Sequence, residues 1–121
     1  MSKPVEEIPP SLAVPLSSLV EIAIECWRLE RWLAVAHREG SAPHVRHVAR
    51  RLAKFLGERE LATLDITGRR YEPGLAVEVL DATDDEQLSE GTTIIDEMVA
   101  PIVLWRGTVV RHGQVIVRRK A

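Results

Sequence analysis

Gly68-Arg69-Arg70-Tyr71-Glu72-Pro73, Gly91-Thr92-Thr93-Ile94, Leu104-Trp105-Arg106-Gly107-Thr108-Val109-Val110-Arg111 and Val115-Ile116-Val117 organise the second half of the chain. Around them apolar residues recur with a period near two, in the runs 61–66, 75–80, 92–96, 102–105, 108–111 and 114–118. That period places alternate side chains on opposite faces of an extended strand. Gly68, Gly91, Gly107 and Gly113 separate the runs, as tight turns between short strands require. The spacing predicts a small all-β domain over residues 61–121, with no internal repeat.

Upstream the period changes. From Leu16 a helix is expected, opened by a Ser18-x-x-Glu21 capping box, with Leu16, Leu19, Val20, Ala23 and Trp27 on one face. Ile22, Cys26, Leu29, Leu33 and Ala36 form a second apolar row around the same helix. Gly40-Ser41-Ala42-Pro43 breaks the chain, and a second helix carries Val45, Val48, Ala49, Leu52 and Leu56 on one stripe before Gly57. Its opposite face is basic, with Arg46, His47, Arg50, Arg51 and Lys54. One partner helix cannot cover two apolar rows, so the hairpin of residues 16–60 is expected to self-associate. The simplest product is a dimeric four-helix bundle about a twofold axis, seamed by Leu19, Trp27, Leu29, Leu33 and Leu52. Residues 1–15 carry four prolines, Pro4, Pro9, Pro10 and Pro15, and read as a flexible tail. The fold class expected is α+β.

At 121 residues the chain has room for one domain, or for a helical element with one small β-module. A hydrophobic fraction of 45% with 28% charged residues is that of an ordinary soluble globular chain, and no apolar run is long enough to span a bilayer. The N-terminus lacks the basic start and apolar core of a secretory signal, and the single cysteine, Cys26, excludes an internal disulfide, so the expected compartment is the cytoplasm. The net charge of −2 conceals a segregation: Glu78 to Glu97 holds eight acids and no Lys or Arg, while Arg106 to Lys120 holds five basic residues and no acid. Separated fields of this kind suit a charged protein partner better than a uniform polyanion.

Catalytic and metal constellations are sparse. His44-x-x-His47 with His37 nearby is the strongest metal candidate, but these imidazoles sit on a basic face without a Cys or a closely spaced Glu, so a solvated role is expected. Asp81, Asp84, Asp85 and Glu86 lack the spacing and central glycine of a calcium loop and read as a solvated acidic loop. Cys26 reads as an inert packing thiol. No phosphate loop or nucleophile elbow occurs, so no catalytic residue, metal or cofactor is assigned. Among the tryptophans, Trp27 reads as core, Trp32 as dimer seam or exposed contact, and Trp105 as a partner contact beside Arg106.

The quoted motifs, in their order and approximate spacing, resemble the β-domain of GrpE, the nucleotide exchange factor of DnaK-type chaperones. In that family a Gly-x-x-(Phe/Tyr)-Asp-Pro turn leads into the domain. A Pro-Gly-Thr-Val turn sits in its middle, and a Leu-x-Gly-Arg-x-(Leu/Ile)-Arg-Pro-Ala-x-Val-x-Val run closes it. Ile24 to Ala36 is similar to the helix preceding that domain, and the resemblance covers about Leu16 to Val117. It implies a homodimer whose β-domain wedges against the nucleotide-binding domain of a DnaK-type chaperone and weakens its hold on ADP. Carried over by position, Gly107, Arg111 and Val117 would be contact residues, while Tyr71 and Pro73 would shape the lead-in turn. Thr108 stands where the family's first Arg would be, with Arg106 one residue from supplying that charge, and His112-Gly113 replaces Pro-Ala. Gly74-Leu75-Ala76-Val77 lacks the family's His-Glu-Ala, and the long N-terminal paired helix has no counterpart. Two other readings compete: nucleic-acid binding through the basic helix face and the Arg111 to Arg118 hairpin, and a purely structural assembly module. The acidic stretch and a pI of about 6.1 weigh against a nucleic-acid partner.

Overall fold

Residues 10–36 and 43–120 are described by a computed structural model. Among these residues two helices precede six strands: α1 is Leu16–Ala36, α2 Pro43–Glu58, β1 Leu61–Leu64, β2 Val77–Asp84, β3 Thr93–Ala100, β4 Ile102–Trp105, β5 Thr108–Arg111 and β6 Gly113–Arg119. Residues 1–9 of the expected tail and Gly40-Ser41-Ala42 lie outside the described residues; Ser11 to Pro15 are exposed and belong to no helix or strand.

Helix α1 starts earlier than its capping pattern implies. The Ser18 amide donates to the Pro15 carbonyl at 3.1 Å, which places Ser18 inside the first turn rather than at the cap. Proline's fixed φ suits it to the residues around a helix start, so Pro15 sets the boundary and the Ser18-x-x-Glu21 box does not cap. Glu21 instead accepts a bond from Arg111 of β5 at 2.8 Å. α2 opens with Pro43, whose missing amide costs nothing at a first helical position.

The strands form two three-stranded sheets, β1-β4-β5 and β2-β6-β3. The first is antiparallel throughout. In the second, β6 pairs with β2 in parallel and with β3 antiparallel. Buried Pro101 is the single residue between Ala100 of β3 and Ile102 of β4, so the chain changes sheet there. A residue without an amide donor fits a point where the ladder breaks.

Two clusters of buried side chains fill the interior. Val20, Ala23, Ile24 and Cys26 of α1 meet Leu56 of α2, Leu61 of β1 and Val103 of β4. One turn on, Trp27 enters the other cluster, with Ile66, Ile95, Met98, Ile102, Val115 and Val117. α1 therefore serves both cores. The buried stripe of α2 is rotated from the expected one: Ala49 and Leu56 are buried and Leu52 and Ala53 half-buried, but Val48 is 50% exposed.

Two expectations for the β-domain need correction. Asp81 and Asp84 do not lie in a loop; they belong to β2, and the turn that follows begins at Asp85. Gly113 is not a turn glycine but the buried first residue of β6. A Cβ there would stand 2.7 Å from Met98 Cε, 3.1 Å from the Ala100 carbonyl oxygen and 3.1 Å from Ile102 Cγ1. The methionine end can swing away, but the Ala100 backbone cannot. Gly113→Val is therefore expected to lower unfolding free energy by about 1–3 kcal/mol through overpacking, with Gly113→Ala costing less. Urea unfolding followed by tryptophan fluorescence checks this; unchanged midpoints for both variants would show that the site has room.

Candidate functional site

The tip of the β4–β5 hairpin is built from two residues that both adopt positive φ, Arg106 at 53° and Gly107 at 76°. A two-residue loop of this conformation matches the right-handed twist of the flanking strands, and Trp105 and Thr108 face each other across it. Glycine takes such angles freely, whereas arginine does so at a cost of about 1–2 kcal/mol. Neighbouring groups hold Arg106 there. Its amide donates to the Glu60 carbonyl at 2.9 Å, and its Nε donates to Glu60 Oε2 at 2.8 Å. Its guanidinium lies over the Trp105 ring, 4.4 Å from the centroid.

Glu60 itself has a φ of 64° and ends the turn that leaves α2, where its amide donates to the Gly57 carbonyl at 2.9 Å. Two left-handed residues from distant parts of the chain are thus bonded through both backbone and side chain. Both side chains are more than half exposed, so the ion pair adds little stability; its effect is to aim the guanidinium. Strained residues held by their surroundings concentrate at functional positions.

The expected partner residues separate into three environments. Arg106 and Gly107 are exposed at the tip, and Trp105 beside them is half-buried, one side packed on the first core and the other under Arg106. Arg111, at the far end of β5, bonds Glu21 of α1 and lines a cleft of about 220 Å³ with Ile24, Arg28, Glu78 and His112. Val117 is a core residue, 3% exposed, and offers no surface to a partner. The alternation Val115, Val117 in a central strand carried that signal in the sequence, since one face of β6 must be buried.

The expected seam residues also differ among themselves. Trp27 is spent within its own chain, against the second core and under the Arg31 guanidinium, 5.1 Å from the ring centroid. Leu33 is buried, while Leu19, Leu29 and Leu52 are half-buried. The apolar side chains left exposed on the helices include Ile22 at 43%, Val48 at 50% and Phe55 at 40%. Phe55 escaped the sequence reading, although Val48 and Phe55 are seven residues apart on one side of α2. Trp32 is 59% exposed and borders a cleft of about 400 Å³ with Trp27, Arg31, Val35, Glu97 and Val99. Arg31 closes one wall of it, donating to the Met98 carbonyl and reaching Glu97 at 3.5 Å.

Among the described residues no three His, Cys, Asp or Glu side chains come together as a metal site would require, and no helix is long and apolar enough to cross a membrane. His37 lies outside the described residues, and His44 and His47 are exposed on α2. On the acidic turn, the Gln87 amide and then the Arg118 guanidinium hold the Asp85 carboxyl below its usual range. No family model matches the chain, and no curated protein matches it in sequence.

Burial, with the Glu30 carboxylate next in weight, pushes the Cys26 thiol up from 9.0 to about 11. The folded state thus favours the protonated thiol. Its contribution to stability is complete below about pH 9 and is lost as pH rises through about 11. Cys26 is expected to resist a thiol-alkylating reagent at pH 8 in the native protein and to react fully in denaturant. Mass spectrometry distinguishes the two, and rapid native labelling would show the thiolate to be accessible.

Proposed function

We propose that the chain is a GrpE-like nucleotide exchange factor that acts as a homodimer on a DnaK-type chaperone or a divergent relative of one. The observation that carries this reading is the hairpin tip. The closing motif Leu104-Trp105-Arg106-Gly107 forms a tight turn whose arginine is held in a strained conformation over a tryptophan. Tryptophan and arginine are enriched among interface residues that dominate binding energy. In this reading Trp105, Arg106 and Gly107 press on one lobe of the chaperone's nucleotide-binding domain, and Arg111 extends the contact along β5. Val117 is left out of the contact set because it is internal. Binding that favours an open nucleotide cleft weakens ADP, and ADP must weaken the exchange factor by the same factor.

The homodimer forms through the helical hairpin, two copies making a four-helix bundle. What supports this is the exposed apolar side of that hairpin, with Ile22, Val48 and Phe55 beside half-buried Leu29 and Leu52. Leu19 and Leu52 contribute from the rim, whereas Trp27 and Leu33 act by stiffening the hairpin from within.

Stopped-flow release of a fluorescent ADP analogue from the cognate chaperone tests the exchange reading. Wild type is expected to accelerate release, and Trp105→Ala to weaken the interaction by ~2 kcal/mol or more, about thirtyfold. Binding without a change in release rate would refute exchange while keeping the partnership; no binding would refute both. The dimer is tested by light scattering. Leu29→Asp combined with Phe55→Asp is expected to give monomers, since unpaired charge in an apolar seam costs several kcal/mol. A wild-type monomer at high micromolar concentration would defeat the bundle.

A further inference from the structure

We propose that the outer face of α2, with the cleft beside it, is a docking surface for an acidic peptide segment that also carries an aliphatic side chain. Arg46, Arg50 and Lys54 follow one another at four-residue intervals along α2, with His47 and Arg51 in the adjoining row, and all five are exposed. The row from Arg46 to Lys54 extends about 12 Å along the helix axis.

This charge is arranged against the helix that bears it. Like charges four residues apart repel, so the pairs 46/50, 50/54 and 47/51 each oppose helix formation, 47/51 when His47 is protonated. The first turn has no acid, so the macrodipole is uncompensated at the N-terminal end; at the other end Arg59, just past the helix, donates to the Phe55 carbonyl at 2.9 Å. Five other arginines, Arg28, Arg31, Arg106, Arg111 and Arg118, each reach a carboxylate, whereas Arg59, Arg69, Arg70, Arg119 and Lys120 form no ion pair among the described residues. Among the described residues none of Arg46, Arg50, Arg51 and Lys54 forms one either. Repulsion that recurs along one face and meets no ion-paired carboxylate among the described residues suits a surface that an anionic partner neutralises.

The cleft decides which polyanion fits. Arg46 and Arg50 stand on the rim of a hollow of about 240 Å³ between the two helices, floored by Leu33, Ala34 and Ala49 and closed on the α1 side by Glu30. A phosphate backbone has nothing to place on an apolar floor. A peptide with carboxylates toward α2 and a Leu or Ile side chain in the hollow satisfies both. Glu30 repels carboxylates from the α1 wall, which orients such a peptide along the cationic row. The acidic strand β2 and the turn after it belong to the second sheet, whereas α2 packs on α1 and on β1 of the first, so those acids do not cover the face.

Fluorescence anisotropy with short labelled peptides tests this. A Glu-Glu-Leu repeat peptide is expected to bind, with affinity falling steeply between low and high salt. Replacing Arg46, Arg50 and Lys54 together by Gln is expected to weaken it at least about tenfold, about 1.4 kcal/mol. Ala34→Trp, which fills the hollow from an exposed position, is expected to weaken the same peptide and leave an all-Glu peptide unchanged. No binding of the Glu-Glu-Leu peptide, or binding undiminished in the triple variant, overturns the proposal. Equal binding of all-Glu peptide or duplex DNA also overturns it, showing a general polyanion surface. None of these residues lies at the hairpin tip, so ADP release measured on the same variants separates failure here from failure of the exchange reading.

Discussion

The placement of Trp27 is the constraint on which the rest of the architecture depends. α1 enters the first core through Val20, Ala23 and Ile24, and one turn later sends the Trp27 ring into the second. Ile102 of β4 packs in that second core beside the ring, so the helix and this strand together join the two sheets where Pro101 passes between them. Removing a buried tryptophan typically costs about 3–5 kcal/mol, a large share of the stability of a small domain. The same ring explains a polar detail on the surface. Arg31 lies over Trp27 and donates to the Met98 carbonyl, tying the helix to β3 just where Met98 Sδ accepts the Ile66 amide at 3.1 Å.

A second tie connects the helices to the hairpin tip. Glu60 ends the α2 turn and Arg106 begins the β4–β5 turn, and each fixes the other's left-handed backbone. Arg111 and Glu21 repeat the device at the opposite end of β5. The first sheet is therefore bonded to α1 and to the end of α2 at two points.

Much of this was legible in the residues, and for definite reasons. Strands β1, β4, β5 and β6 fell within a residue or two of their expected runs because a half-buried strand must alternate. β2 and β3 ran longer than expected because Asp81, Asp84 and Glu97 sit on exposed strand positions, where charge is tolerated and masks the pattern. The parallel pairing of β2 with β6 was not legible, since it joins segments some thirty residues apart and local spacing carries no trace of it. Gly113 was misread because a glycine that makes room for a neighbouring backbone looks, in a sequence, like one that makes a turn. The Ser18 box misled because Pro15 had already set the helix start. At the candidate site, Trp105 and Arg106 stood out by composition, but the Glu60 partnership did not, being a contact between a helix end and a distant turn.

The position of β6 at the centre of its sheet has a consequence for how the protein is made. β2 and β3 each pair within that sheet only with β6, the last strand to be synthesised. At roughly 5–20 residues per second, β2 leaves the ribosome a few seconds before its partner exists. Until then Val79 and Leu80 lack their partner strand in the sheet, and the acids around them, Glu78, Asp81 and Asp84, are charges of the kind that disfavour pairing with a strand of another chain. The negative charge of β2 thus has a role in the history of the molecule as well as in its finished surface.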